Sequence, residues 1–176
     1  MIQFEGQIIS NFPKLIWKAW APPKCKFFEW FLLQDKLWTS QRLQLRAWPN
    51  NYFCALCERN LETAHHLFFE CPFARSVWAL VANWSGCHNL RLQFWYNVCD
   101  MELCFLEIVD GGGKLGHSLA VLTLWMLWKQ RNDFVFRGTR KDERHTFFEI
   151  KEECYLWSIS GGHVLKPLFV ANNALM

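Results

Sequence analysis

Residues Cys54–Arg75 read CALCERNLETAHHLFFECPFAR. Two cysteines stand two residues apart, His66 follows eight residues later, and Cys71 comes after four more. Three thiols and an imidazole at this spacing make the donor set of one tetrahedral zinc ion, which favours nitrogen and sulfur in fours. Four donors from the chain close the coordination shell, so the ion holds a fold together and leaves no place for a substrate. The stretch also points to helices. Helical residues five apart lie ~140° round the axis, so His66 and Cys71 face one ion only if the helix ends between them. Pro72 supplies that break and suits the first turn of the next helix.

The plain alternative is two buried thiols and a core histidine. The pair follows a polar turn, however, and precedes Glu58-Arg59-Asn60, a poor setting for a core. A redox Cys-x-x-Cys is expected beside a βαβ unit, and none surrounds this one. Neighbours on a helix differ by ~100°, so only one of His65 and His66 can point at the metal. The residues alone leave that choice open.

The chain has 176 residues, 52% of them hydrophobic, with 11 Trp and 16 Phe. That is enough to bury a core and too apolar for general disorder. The opening Met-Ile-Gln-Phe-Glu-Gly lacks the basic start of a signal peptide. The most apolar run, Leu119–Trp128, falls short of the ~20 residues of a membrane helix. The expectation is an intracellular protein with no membrane partner. Eight cysteines then read as metal ligands or inert buried thiols, the latter being Cys25, Cys87, Cys99, Cys104 and Cys154.

Around the metal pattern, Pro22-Pro23 ends one segment and starts another. Lys24–Trp38 is apolar nearly all round, as a buried helix would be. Thr39 or Ser40 can cap a short helix over 41–47, and a minor hairpin is expected at the metal. Pro72–Trp84 reads as a helix with Phe73, Val77, Leu80 and Trp84 on one stripe. Leu92–Val109 reads as helix, with strand open for 104–109, and Asp110-Gly111-Gly112-Gly113 as a break. Leu115–Phe136 is a long apolar helix, and Lys141–Ile159 an amphipathic one with Phe147, Ile150, Cys154 and Trp157 at helical spacing. The fold expected is mainly α: a small helical domain stapled by one Cys3His zinc site, then a helical C-terminal region. The divisions are 1–13 lead-in, 14–84 zinc domain, 85–114 connection, 115–163 helical region and 164–176 tail.

These residues resemble a known family. Ile16-Trp17-Lys18, Ala21-Pro22-Pro23-Lys24, Phe27-Phe28-Glu29-Trp30, Leu37-Trp38-Thr39 and Arg42-Leu43 are similar to the start of the reverse-transcriptase zinc-binding domain of plant non-LTR (LINE-type) retrotransposons. Cys54-Ala-Leu-Cys57, Glu62-Thr63, His66–Arg75 and Trp78 continue the likeness. Trp125-Met-Leu-Trp128-Lys-Gln-Arg131-Asn132, Val135-Phe136, Gly138, Glu153 and Trp157 resemble the tail that follows the domain in plant copies. The resemblance implies one structural zinc on Cys54, Cys57, His66 and Cys71, with His65 outside the coordination shell. No polymerase signature is present. Asp110 has no supporting carboxylates after it, which argues against a ribonuclease H centre.

The resemblance also implies contact with RNA or DNA. Positive charge flanks the metal pattern: residues 1–53 carry seven Lys/Arg against three Asp/Glu, and residues 54–84 carry two against three. Three thiolates around a divalent ion add one negative charge, so a phosphate contact belongs on the flanks. The candidates are Lys18, Lys24, Lys26, Arg42 and Arg46, with Lys14 beside them and Trp17, Trp20 and Trp30 interleaved. A second basic group is Lys129, Arg131, Arg137, Arg140, Lys141 and Arg144. The function expected is a non-catalytic, zinc-stabilised accessory module that binds nucleic acid. The alternative is a vestigial or host-adopted protein-interaction module, whose partner would include the missing polymerase. No small-molecule substrate is expected.

Overall fold

The structure is a computed structural model that describes residues 16–91 and 101–170. Pro23 opens α1 (Pro23–Leu33), where its missing N–H costs nothing. This helix is shorter and more one-sided than its composition suggests. Cys25, Phe28, Glu29 and Leu32 are buried, while Phe27 and Phe31 are exposed. It stops because Asp35 turns left-handed at φ 49°. The Asp35 and Lys36 amides then close back on the Leu32 and Phe31 carbonyls in a Schellman turn.

The short helix α2 (Ser40–Leu45) follows Thr39, whose side chain makes no cap bond. The cap comes from far along the chain: Glu62 Oε1 accepts from the Ser40 amide at 3.0 Å. The expected hairpin is a single antiparallel bridge, Phe53 to Leu61, with the Cys54 amide donating to the Asn60 carbonyl at 2.7 Å. Next comes a π turn, His66–Glu70, then α3 (Pro72–Ser85), ended by Gly86 at φ 72°. The buried stripe of α3 is Phe73, Ala74, Val77, Trp78, Val81 and Ala82. Leu80 and Trp84, expected on that stripe, are only half-buried.

Helix α4 (Met101–Arg137) runs through the glycine cluster and leaves helical geometry inside only at Gly113, φ 57° and ψ −154°. The cluster is thus a kink between two helical stretches, and 104–109 is helix. Asp142 caps α5 (Glu143–Ile159) by accepting from the His145 amide at 2.7 Å. After Gly161, a 3₁₀ turn, His163–Leu165, leads to α6 (Pro167–Val170) and buries Leu165. Gly162 is required where it is, because a Cβ there would meet Trp20 at 2.7 Å. The 1–13 lead-in and all of 92–100 fall outside the described residues, as do Lys14 and the 171–176 end of the tail.

One buried cluster runs from Ala19 to Leu165, with α1 packed on α4, and α5 on both α3 and α4. Its centre is aromatic. Phe28 of α1 meets Phe68 of the π turn at 6.0 Å and Trp125 and Trp128 of α4 at 5.4 and 6.2 Å. Trp78, fully buried, donates its indole N–H to the Phe68 carbonyl at 2.8 Å. These contacts seat the π turn, and therefore His66, against the helical body.

Candidate metal centre

Cys54 and Cys57 sit on the turn that the Phe53–Leu61 bridge closes. The Glu58 amide bonds the Cys54 carbonyl at 2.7 Å, and Glu58 takes φ 55° to leave the turn. The hydrogen bond to Cys71 and burial push the Cys54 thiol up to about 12, and His66 and the Cys57 amide oppose this. His66 is fixed through its own amide, which donates to Thr63 Oγ1 at 2.8 Å. Cys71 lies just past the π turn, its amide bonded to the His66 carbonyl at 2.7 Å.

That i→i+5 bond joins His66 to Cys71 directly. A wider turn rotates less per residue than an α turn, so it brings the two side chains closer in direction than the ~140° of a regular helix. The break at Pro72 and the wide turn before it act together. The break is legible in Pro72, whereas no residue marks the wide turn.

All four donor atoms lie within 4.8 Å of one another. Cys54 and Cys71 sulfurs are 3.9 Å apart, and Cys57 Sγ is 3.3 Å from His66 Nε2. Tetrahedral zinc with Zn–S near 2.3 Å and Zn–N near 2.0 Å has S···S and S···N edges of about 3.8 and 3.5 Å. The residues fit the ion. Cys54, His66 and Cys71 are buried and Cys57 half-buried. His65 is not in the cluster; it lies 3.4 Å from Glu70, whose other oxygen is 3.7 Å from His66 Nδ1. Cys25 and Cys154 lie elsewhere in the core, where burial pushes their thiols up to about 12. They are inert packing groups, as expected for unpaired thiols in apolar surroundings.

Residues 1–78 match the family described as zinc-binding in reverse transcriptase. This part of the chain is similar to a reverse-transcriptase zinc-binding domain. A protein of Arabidopsis thaliana that carries the provisional name of a ribonuclease H protein is 20% identical over 160 residues, 89% of this chain. The chain spans a quarter of that relative's length. No solved structure matches.

The acids around the metal turn are occupied within the fold. Glu62, fully buried, accepts from the Ala55 amide at 3.1 Å, between the first two cysteines, and from the Ser40 amide and hydroxyl. Arg131 of α4, also buried, reaches it with Nε at 3.1 Å and Nη2 at 2.6 Å. One carboxylate therefore joins α2, the cysteine turn and α4. The sequence signal was Arg131 inside a Trp-x-x-Trp-x-x-Arg pattern, read there as part of a basic cluster. Glu58 pairs with Arg140 at 3.3 Å, and Arg140 also donates to the Leu56 carbonyl.

The second basic group is largely taken up by these and similar pairs. Arg137 meets Asp133 at 3.0 Å and Lys141 meets Glu149. The first group fares differently. Arg42 and Arg46 come together over Trp38, at 5.3 and 4.9 Å from its ring. Lys24 lies over Trp125 and Lys26 over Trp17, each apart from the arginine pair in the ring it uses. Lys18 is exposed. Of the three tryptophans read as interleaved, Trp17 is exposed, Trp30 half-buried, and Trp20 packs on Trp157 at 5.8 Å.

Among the described residues, no second group of three or more His, Cys, Asp or Glu converges as a metal site. No described helix is long and apolar enough to cross a membrane.

Proposed function

We propose that the chain is a non-catalytic accessory module of retroelement reverse-transcriptase descent, in which one zinc on Cys54, Cys57, His66 and Cys71 orders a nucleic-acid-binding flank. The observation that carries this reading is the closed donor set. Four ligands from the chain leave the ion no open position, so its work is to fix backbone. What it fixes is the neighbouring 39–53 segment, tied to the cysteine turn through Glu62. Arg42 and Arg46 stand on that segment, and no carboxylate among the described residues pairs with either. Lys18, Lys24 and Lys26 extend the positive surface along the chain. The reduced thiols of such a site belong in an intracellular, reducing compartment.

The test has two arms. Metal analysis should find one zinc per chain and none after Cys57→Ser. Anisotropy titrations of the intact protein should show RNA or DNA binding that weakens as salt rises. No binding at low salt would overturn the nucleic-acid part.

A second reading, contact with a protein such as a polymerase module, has its own observation. A groove of about 500 Å³ on α5 and α6 is lined by Phe148, Lys151, Tyr155, Leu156 and Phe169, and several of these are exposed.

A further inference from the structure

Trp38 and Trp48 stack on the protein surface, ring centroids 5.3 Å apart and planes 19° from parallel. The pair is built by backbone. The Trp48 amide donates to the Leu43 carbonyl at 3.0 Å, folding the chain back past α2 once Ala47 has turned left-handed at φ 55°. Trp38 is covered by its partner indole and by the Arg42 and Arg46 guanidiniums. Trp48 is the more open ring, 51% exposed against 41% for Trp38. Tyr52 and Phe53, also exposed, continue the aromatic surface toward the cysteine turn.

Two features distinguish this face from the other exposed aromatics. From Lys36 to Phe53 the sequence holds three cations and no Asp or Glu. The α5 groove, by contrast, mixes Lys151 with Glu152. The face is also held rigid, because the α2 amide is capped by Glu62 and the Gln41 amide bonds the Glu62 carbonyl at 3.1 Å. Arg42 donates to the Asp35 carbonyl, but neither guanidinium has a carboxylate partner among the described residues, so an open indole and phosphate donors stand within one short segment. That combination suits a base whose own face is free. In a duplex the base faces are already stacked and only edges show in the grooves.

We infer that the Trp38–Trp48 face binds unpaired bases of single-stranded nucleic acid, with Trp48 as the stacking ring and Arg42 and Arg46 as the phosphate contacts. This rests on the nucleic-acid reading above and narrows it to a strand state and a surface.

The experiment titrates the zinc-loaded full chain into a labelled 12-nucleotide single-stranded RNA, the same sequence as DNA, and the DNA as a duplex, in low and moderate salt. Single strands should bind at least tenfold more tightly than duplex. Trp48→Ala should weaken single-strand binding by about 5- to 150-fold, the range of one lost base stack, while Trp48→Phe retains most of it. Zinc content and circular dichroism of each variant establish that it is folded. Arg46→Gln, on an exposed side chain, should weaken binding and flatten the salt dependence with Trp48 intact. The inference is overturned if duplex binds as well as single strand, or if folded Trp48→Ala binds as wild type does. Absence of binding to every nucleic acid overturns instead the broader reading on which it rests. Unequal affinity for the RNA and DNA strands would identify which of the two is preferred.

Discussion

Two stretches of this chain are basic, and the fold uses them in opposite ways. Arg42 on α2 and Arg46 just past its end lie over an indole at the surface, with no carboxylate partner among the described residues. Arg131, Arg137, Arg140 and Lys141, near the junction of α4 and α5, each meet an acid. The difference lies in the neighbours. The first stretch has no acid between Lys36 and Phe53, whereas Asp133, Asp142, Glu143 and Glu149 are interspersed with the second. A basic run reads as a binding surface only when its counter-charges are absent from the folded neighbourhood, and not merely from the adjacent sequence. Arg131 makes the point: its partner, Glu62, lies 69 residues away.

The comparison can be broken most severely at the metal site, to which the first stretch is tied through Glu62. Zinc binding in small zinc modules is worth roughly 10–16 kcal/mol. Chelation, or Cys57→Ser, should therefore unfold the cysteine turn and take the order of α2 with it. Near-ultraviolet circular dichroism during chelator titration checks this. Retention of the native signal in the metal-free protein would sever the α2 surface from the zinc.

Next comes the internal member of the second stretch. Arg131→Ala leaves Glu62 buried without its counter-charge, a change that costs about 3–5 kcal/mol. The exposed pair is the control: Arg140→Ala should cost no more than about 1 kcal/mol. Urea midpoints of the two variants sharpen the contrast, and equal values would mean that burial does not separate these arginines.

A third measurement asks the same question of binding. Removing Arg46 should reduce the slope of log affinity against log salt by about 0.7 for a single strand. Removing Arg137 should leave the slope unchanged, because its charge is already met by Asp133.

The smallest effect concerns Glu29, buried on α1 with His117 Nε2 3.0 Å from one oxygen. Burial holds this carboxyl above its usual range, and His117 only partly opposes that. The folded chain therefore keeps a proton that the unfolded chain has lost. This contribution favours folding at low pH and fades as pH rises from the ordinary glutamate range toward the raised value. Glu29→Gln removes the dependence, so the variant should gain on wild type as pH rises across that window. Urea midpoints at several pH values, compared at equal zinc occupancy, report the sign.

Much of this was legible in the residues, and the exceptions share a cause. Spacing gave the four donors, because zinc geometry constrains local sequence tightly. Proline and glycine gave the starts of α1 and α3 and the end of α4. The family resemblance separated His66 from His65. What stayed hidden depends on distant partners. Thr39 reads as a cap, but the α2 amide is satisfied by Glu62. Lys24–Trp38 reads as buried all round, yet α4 covers one side only and leaves Phe27 and Phe31 in the open. The α3 stripe departs from simple periodicity because Trp78, not Leu80, faces the Phe68 carbonyl. The π turn left no mark, since turn width follows from closing the metal site and not from any residue in it.

The place of Glu62 has a further consequence, for where the molecule can be cut. The stretch recognisable as a family stops at residue 78, but the cation that neutralises Glu62 and the indoles that roof Phe28 and Phe68 come from 125–131. A piece ending at 78 would keep every metal donor while stranding a carboxylate in an apolar interior and laying bare its central rings. The unit that coordinates and the unit that folds have different lengths.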